Sequence, residues 1–520
     1  MERFELAGEN CLYYLSSQCR SWRPAKSIFL FAPDADAVDF SHLEAFAANS
    51  GWLDAAEKDG AVLILPAAPE GWEKASNRRL KSLYKAVWQD TSSPDPREVL
   101  RNVWCWETLI FAVGYGEGAV FAGDAAVAHP NLFAQTVLVN GVPHDYLPAE
   151  ELSDRWLLPD ASADWQHKNR EIPTAVWMLG NQDTAQAEAY FSRPGTDLVA
   201  VSKGDYGPAP ETTAELLRQM NTRIRWKNSP DGTPARIKSQ EQMLADGEYT
   251  RGVVHHNGWD YECYTRIPTG TSSKRLPVVI SMHGHGEPAW MFAQKNGWPE
   301  LQEETKGFVF VSPSSPENTW LVERDEGMLE KMLDQMEKDL EIDRTRVYLT
   351  GFSNGAAATC WYGTRHPQLF AALSPWNSPF TTFEAQLKED GWEMPMFAVN
   401  GDLDHKMDKA RKGYPKLFAN FIALNGGTPR PAEPPQPWPW RSDAIWNGEN
   451  HYTADCGYTQ GGRLTTWGFQ NDRGEIHFCY TDVKNMPHGA IPDLARAAWA
   501  FLKHFSRLPG EKQVHYDPQA

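Results

Sequence analysis

The fold is indicated most clearly by the stretch Arg346-Val-Tyr-Leu-Thr-Gly-Phe-Ser-Asn-Gly-Ala-Ala-Ala358. Its first part is apolar and rich in strand-forming residues, and its last part consists of small residues that favour a helix. Between them stands G-x-S-x-G, where glycine is needed because side chains would collide at the junction of strand and helix. A strand–turn–helix of this kind lifts the hydroxyl of Ser353 above the end of a sheet, so Ser353 is a candidate nucleophile.

The first half of the chain contains an echo of this stretch, Leu109-Ile-Phe-Ala-Val-Gly-Tyr-Gly-Glu-Gly118, with Gly116 in place of Ser353. Further segments recur in the same order, namely 46–52 with 292–298, 60–66 with 307–313, 129–134 with 366–371, 172–183 with 394–404, and 201–207 with 483–489. A long-period repeat of this kind predicts two copies of one architecture.

Each copy alternates short apolar strands with helical segments, which predicts a mostly parallel sheet with helices on both faces. In the second copy we expect strands near residues 253–256, 261–267, 276–282, 308–312, 346–350, 396–400 and 476–482. Apolar residues spaced as on one face of a helix run from Met328 to Leu340, and this methionine stripe is predicted to pack behind the strand that precedes Ser353.

The chain has 520 residues, enough for two domains of about 230–270 residues each. We expect a first domain over 1–227, a polar linker over 228–244 and a second domain over 245–515. The second domain contains a Pro- and Trp-rich segment at 426–450, which cannot be a helix or a central strand. It is either a surface excursion or a cap that offers Trp438 and Trp440 to a ligand.

Composition excludes several classes of partner. A net charge of −18 argues against nucleic acid and anionic membranes, and no apolar run approaches the ~20 residues that span a bilayer. The acidic N-terminus shows no signal peptide, and seven scattered cysteines without C-x-x-C are typical of reduced thiols. These features favour a cytoplasmic protein.

Three residues follow the strand ends in the chain order Ser, Asp, His, which is one of the orders used in nucleophilic acyl transfer. They are Ser353, Asp404 and His488, as candidate nucleophile, orienting acid and base. Asp402 and Asp408 compete with Asp404. The first copy has an acid, Asp183, opposite Asp404 but an asparagine opposite Asp402, which favours Asp404.

An oxyanion needs backbone N–H donors. We expect one from Asn354, directly after the candidate nucleophile, and one from His285 in the loop His283-Gly-His-Gly286. His283 and His285 also form H-x-H, which occurs in metal sites, but the sequence supplies no nearby third ligand. We therefore expect no metal and no cofactor.

The first copy lacks most of these groups. Gly116 replaces the serine, Tyr206 the histidine, and Pro33-Asp-Ala-Asp36 stands where H-G-x-G is expected, so only Asp183 remains. We expect this copy to be inactive, with either a structural role or a role in shaping the entrance to the second site. Among the 22 tryptophans, Trp320, Trp376, Trp438 and Trp440 are candidates for lining a substrate pocket.

Residues 245–515 resemble the esterase family that includes feruloyl esterases and poly(3-hydroxybutyrate) depolymerases. The resemblance rests on Leu276-Pro-Val-Val-Ile-Ser-Met-His-Gly-His-Gly286, on Phe-Val-Ser-Pro at 310–313 before Trp320, on 342–355, on 366–372 and on the helix after His488. It implies an α/β-hydrolase fold, and together with the internal repeat this predicts two tandem α/β-hydrolase domains, of which the first is degenerate. It also implies a serine carboxylic-ester hydrolase in which Ser353, Asp404 and His488 work through an acyl-enzyme.

The chain departs from this family in lacking a visible leader, in having His285 where cysteine is common, and in the fused copy. These departures favour a soluble small-molecule or oligomeric ester, with aromatic or hydroxyacyl groups as candidates, over an extracellular polymer. The oligomeric state stays open. A serine peptidase or amidase on the same fold is the alternative, followed by a non-catalytic binding protein.

Overall fold

The structure is a computed structural model. It describes the chain except for residues 7–8, 21–24, 77–79, 82, 84–86, 88–102, 104, 154–165, 227–232, 271–274, 379–386, 388, 412 and 429–463. The chain divides into two compact units, Met1–Ser239 and Gln240–Ala520. A membrane-spanning helix is absent from the described part of the chain.

The first unit is built on an eight-stranded sheet with the strand order β1-β2-β4-β3-β5-β6-β7-β8. The strands are β1 (Glu2–Leu6), β2 (Glu9–Leu15), β3 (Ala25–Phe31), β4 (Val62–Pro66), β5 (Cys105–Tyr115), β6 (Thr136–Val139), β7 (Val176–Leu179) and β8 (Val199–Ser202). Strand β2 runs antiparallel to its neighbours, and the strands from β4 to β8 are mutually parallel. A separate antiparallel pair is formed by β9 (Arg223–Trp226) and β10 (Thr233–Arg236).

The second unit repeats this order and adds one strand, giving β11-β12-β14-β13-β15-β16-β17-β19-β18. The strands are β11 (Thr250–His256), β12 (Trp259–Arg266), β13 (Leu276–Met282), β14 (Val309–Pro313), β15 (Ile342–Phe352), β16 (Ala372–Trp376), β17 (Met396–Gly401), β18 (Leu464–Gln470) and β19 (Ile476–Val483). Strands β13, β15, β16, β17 and β19 are parallel, so their carboxyl ends meet at one edge. A short pair, β20 (Phe505–Ser506) and β21 (His515–Tyr516), lies near the C-terminus.

Helices connect the strands in both units. In the first unit they are Asp34–Ala37, Phe40–Asn49, Trp52–Asp59, Glu117–Ala128, Ala185–Phe191 and Pro210–Met220. In the second unit they are Gln240–Ala245, Ala289–Phe292, Trp298–Thr305, Val322–Asp325, Met328–Asp339, Asn354–Arg365, Asp408–Arg411, Tyr414–Leu424 and Asp493–Leu502. The predicted class of a mostly parallel sheet with helices is confirmed.

Apolar clusters cover both faces of the second sheet. The predicted methionine stripe is buried on the helix Met328–Asp339 and packs with Val347 and Leu349 of β15. The opposite face holds Trp298 and Phe501. Because β15 is covered on both faces, the turn that follows it has a rigid support.

Two features of the chain differ from what the sequence indicated. Within the predicted linker, 228–244, Thr233–Arg236 is strand β10 and Gln240–Ala245 is a helix. The strand was not predicted because it contains Pro234, and proline is unfavourable in strands. It forms by pairing with β9. Strand β16 was not among the predicted strands. Its Pro375 lies between β15 and β17, a position in which proline is rare.

Candidate active site

Ser353 lies at the turn between β15 and the helix Asn354–Arg365, with φ 54° and ψ −115°. This conformation is uncommon for a residue with a side chain and costs of order 1–3 kcal/mol. The flanking glycines are required by space. A Cβ on Gly351 would lie 2.4 Å from the carbonyl oxygen of Gly355, and a Cβ on Gly355 would lie 2.2 Å from that of Met282. The G-x-S-x-G stretch therefore folds as the predicted strained turn.

The structure brings Ser353, His488 and Asp404 together. His488 follows β19 and its Nε2 lies 2.8 Å from Ser353 Oγ, while its Nδ1 lies 2.8 Å from Asp404 Oδ2. Because an ionised carboxylate only accepts, Nδ1 carries the proton and Nε2 accepts the hydrogen bond of the serine hydroxyl. The Asp404 carboxylate is buried, and the His488 side chain is 22% exposed. The arrangement can remove a proton from Ser353.

The three competing aspartates have different partners. Asp404 follows β17 and contacts His488. Asp402 Oδ1 accepts a hydrogen bond from the backbone N–H of Met486 at 3.2 Å, and Asp408 accepts from the Arg411 guanidinium at 2.9 Å. Of the three, it is Asp404 that meets the histidine, as the sequence repeat suggested.

Asn377 is a residue that the sequence analysis missed. It follows β16 with φ 51°, and its Oδ1 accepts from the backbone N–H of Gly401 at 2.8 Å. Its Nδ2 donates to the carbonyl of Gly489, next to His488. One side chain thus joins the loop of the acid to the loop of the histidine. The only available signal was the repeat, since Asn140 of the first unit has φ 58° and donates to the carbonyl of Tyr206.

The loop His283–Gly286, called the oxyanion loop below, follows β13 and is tied to a second loop, Ser315–Trp320, called the clamp loop. His283 Nε2 accepts from the Ser315 N–H at 3.1 Å, and the Trp320 indole donates to the His283 carbonyl at 3.1 Å. Thr319 Oγ1 lies 2.8 Å from His285 Nδ1. These contacts fix the backbone from which the predicted His285 donor projects.

Both histidines of the H-x-H motif are engaged in hydrogen bonds with the protein. Burial lowers the pKa of His283 to about 4, which suits a ring nitrogen that accepts a backbone N–H. Burial, with a smaller contribution from the charge of Lys406, also lowers the pKa of His285. Within the described ranges, no group of three side chains suitable for a metal ion is found.

The predicted tryptophan pocket needs correction. Trp376 is fully buried and stacks on Trp298 with ring centroids 6.1 Å apart. Trp320 is 5% exposed, because its indole is turned inward to the oxyanion loop. Both belong to the core beneath the site. Trp438 and Trp440, with residues 429–450 of the predicted excursion, lie outside the described residues.

The corresponding turn of the first unit has the same backbone without a nucleophile. Gly116 has φ 57° and ψ −123°, between β5 and the helix Glu117–Ala128. Asp183 is exposed and accepts a hydrogen bond from the N–H of Ala185, unlike the buried Asp404.

No family model matches the chain. A bifunctional acetylxylan esterase/xylanase, XynS20E, from Neocallimastix patriciarum is 31% identical over 210 residues, which cover 38% of this chain and 29% of that protein. A poly(3-hydroxyalkanoate) depolymerase C from Paucimonas lemoignei is 26% identical over 132 residues, which cover 23% of this chain and 31% of that protein. The chain thus spans less than a third of the length of these two relatives.

Among solved structures, an acetyl xylan esterase from Aspergillus awamori is 15% identical, with a TM-score of 0.35. The match covers 49% of this chain and 99% of that one. Parts of the chain are thus similar in sequence to an acetylxylan esterase/xylanase and to a poly(3-hydroxyalkanoate) depolymerase.

Proposed function

We propose that this protein is a serine carboxylic-ester hydrolase whose active site lies in the second unit. The observation that carries the proposal is the chain of two 2.8 Å contacts from Ser353 Oγ through His488 to Asp404. The curated esterase relatives support the same chemistry. Because the chain spans only part of their length, they support the reaction class and leave the substrate to be determined by experiment.

In the proposed reaction, Ser353 Oγ attacks the ester carbonyl while His488 Nε2 takes the hydroxyl proton. The carbonyl oxygen becomes an oxyanion that the backbone N–H groups of Asn354 and His285 stabilise. Collapse of the tetrahedral intermediate breaks the bond to the alcohol, which leaves with the proton from His488. Water, deprotonated by His488, then attacks the acyl-enzyme and releases the acid and free Ser353. Asp404 holds the histidine in the required tautomer throughout.

The proposed substrate is a soluble small-molecule or oligomeric ester, with aromatic and hydroxyacyl esters as the groups to test first. The proposed location is the cytoplasm, since the seven cysteines are scattered and form no C-x-x-C motif. We further propose that the first unit is catalytically silent, because glycine stands at position 116 and tyrosine at 206.

Labelling with a fluorophosphonate probe tests the proposal directly. We expect the wild-type chain to be labelled at Ser353, and Ser353→Ala to lose both the label and ester turnover. Ser506→Ala, which changes a half-buried serine on β20 of the same unit, is the matched control and should keep both. Absence of labelling in the wild type would exclude a serine hydrolase.

The choice between an esterase and an amidase requires matched substrates. Nitrophenyl acetate, hydroxycinnamate esters and the corresponding anilides should be compared at equal concentrations. Faster turnover of the anilides than of the esters would contradict the proposed ester specificity while leaving the nucleophile intact.

A further inference from the structure

The side chain of Asn354 holds both backbone polar groups of Trp320. Its Oδ1 accepts the Trp320 N–H at 2.7 Å, and its Nδ2 donates to the Trp320 carbonyl at 3.3 Å. Asn354 directly follows Ser353, so this contact runs from the turn of the nucleophile to the end of the clamp loop. The backbone amide of Asn354 has its place in the proposed reaction, whereas the side chain has none so far.

Trp320 passes this connection to the oxyanion loop. Its indole N–H donates to the carbonyl of His283. A second contact joins the same two loops, because the N–H of Gly286 donates to the carbonyl of Asn318 at 2.7 Å. A continuous series of hydrogen bonds therefore joins the Asn354 side chain to the loop that carries His285. The two backbone amides assigned to the oxyanion belong to the residue at one end of this series, Asn354, and to the loop at its other end.

The clamp loop has an uncommon backbone conformation and is held by hydrogen bonds. Glu317 and Asn318 have φ of 56° and 50°, in the left-handed region that is costly for residues other than glycine. The buried carboxylate of Asp325 anchors the loop by accepting from the N–H of Leu321 at 2.7 Å and from Ser315 Oγ at 3.3 Å. The first residue of the clamp loop and the residue after its end are thus held by one buried carboxylate.

The first unit provides an internal comparison. There the indole of Trp72 donates to the carbonyl of Ala32 at 2.7 Å, which matches the contact of Trp320 with His283. The backbone N–H of Trp72, however, donates to Asp34 Oδ1 at 3.0 Å and not to the residue after Gly116. The indole contact is thus common to both units. A direct bond from the side chain after the turn to the tryptophan backbone is found in the second unit, whereas in the first unit Glu117 accepts the Asp34 N–H at 3.4 Å and the connection to Trp72 runs through Asp34.

We propose that the side chain of Asn354 is a positioning residue, which sets the distance between the amides of Asn354 and His285 through Trp320. The inference rests on the proposed function. Its physical basis is that oxyanion stabilisation requires both donors at 2.7–3.1 Å from an oxygen that exists only in the transition state. A shift of one loop against the other weakens that stabilisation and leaves the binding of the ground-state substrate nearly unchanged.

The test uses Asn354→Ala and Trp320→Phe in the full chain, with nitrophenyl acetate as substrate. Asn354→Ala keeps the backbone amide and removes the link, so kcat should fall roughly 10- to 100-fold with KM changed by less than about 3-fold. Trp320→Phe removes the indole donor to His283 and should show the same split. The rate of fluorophosphonate labelling should fall in parallel, since the phosphonylated serine also places an oxygen in the oxyanion site.

The double variant distinguishes one series from two separate contributions. If the links act in series, Asn354→Ala/Trp320→Phe loses no more activity than the worse single variant. Losses that multiply would overturn the inference. Asp34→Ala, which removes the corresponding bond to Trp72 in the first unit, is the matched control and should leave kcat unchanged. An equal loss in this control would assign the effects to general destabilisation.

The outcomes separate the two proposals. An active wild type whose Asn354→Ala variant keeps its kcat, or changes only KM, overturns the positioning role and leaves the esterase proposal intact. A wild type that neither turns over esters nor reacts with the probe overturns both. If Asn354→Ala does not fold, as judged by thermal unfolding, Trp320→Phe decides by the same criteria.

Discussion

Gly116 and Ser353 share one backbone conformation, with φ and ψ of 57° and −123° in the first unit and 54° and −115° in the second. Both stand between glycines that admit no side chain: a Cβ on Gly114 would lie 2.4 Å from the carbonyl oxygen of Gly118, as at Gly351 in the second unit. The turn is therefore a property of the fold in both units, and the residue at its centre differs.

Replacing Ser353 with glycine gives the second unit the residue that the first unit has at this position, Gly116. Glycine adopts this conformation without the cost of a Cβ, so Ser353→Gly should raise the unfolding midpoint by about 2–6 °C. Ester turnover should fall at least ~10³-fold because the nucleophile is lost. Thermal unfolding and nitrophenyl acetate assays check both effects. A lower midpoint would show that the turn is not strained at Ser353.

The reverse change, Gly116→Ser in a Ser353→Ala background, should restore no turnover. Tyr206 stands where the second unit has His488, and a phenol is a poor base near neutral pH. The variant should also be less stable than its parent by roughly 1–3 kcal/mol, because serine must adopt φ near 57°. New labelling at position 116 would mean that the two units were aligned wrongly.

Asp404→Asn should reduce kcat roughly 10⁴-fold, because an amide can stabilise the wrong tautomer of His488. Asp408→Asn is the matched control, since the half-exposed Asp408 contacts the exposed His405 and the buried Arg411 and makes no contact with His488. It should change kcat by less than about 3-fold. Steady-state assays of the two variants test the assignment, and similar losses in both would contradict it.

We expect His283 to make the free energy of unfolding depend on pH. Its pKa is about 4 in the folded chain, below the ordinary value of about 6.5, so the unfolded state binds more protons between these values. Stability from this group is therefore complete above pH 6.5 and declines as pH falls towards 4, by about 3 kcal/mol. His283→Gln should flatten the dependence of the free energy of unfolding on pH in that window. Denaturant titrations at several pH values check this, and an unchanged slope in His283→Gln would count against the role.

The ion pair of Glu287 and Lys295 lies just behind the oxyanion loop, with both side chains less than 10% exposed. Burial raises the pKa of Glu287, and the charge of Lys295 opposes that shift. Lys295→Met leaves a buried carboxylate without its cation and should lower the free energy of unfolding by about 3–5 kcal/mol. Arg496→Met, at the exposed pair with Glu304, should have much less effect in the same denaturant titration. Comparable losses of unfolding free energy in the two variants would show that the buried pair contributes no more to stability than the exposed one.

Much of the site could be predicted from local sequence. Gly351, Ser353 and Gly355 specify a turn that excludes other residues by contact with their own neighbours, so the motif carries its geometry with it. The chain order of Asp404 and His488 after strands of a parallel sheet predicted that they would meet Ser353 at one edge, and the structure brings all three within hydrogen-bonding distance. The repeat in the first half of the chain, when aligned with the second half, helped to select Asp404 and His488 as candidates.

Other features depended on partners far apart in the chain. Strand β16 is held by β15 and β17 despite Pro375, and Trp376 at its end is buried by Trp298, so neither could be recognised from residues 372–376 alone. The role of Asn377 likewise arises where the loops of Gly401 and Gly489 converge.

The sequence by itself determined the strained turn, the order of the candidate catalytic residues and the sheet with its repeat, because these follow from sterics and periodicity within short segments. Only the tertiary structure decided that Asp404, and not Asp402 or Asp408, faces His488, and that the Trp320 N–H is held by Asn354 while that of Trp72 is held by Asp34. The physical reason is that a hydrogen bond is made or lost over a few tenths of an ångström, and such distances are set by how loops from different strands pack.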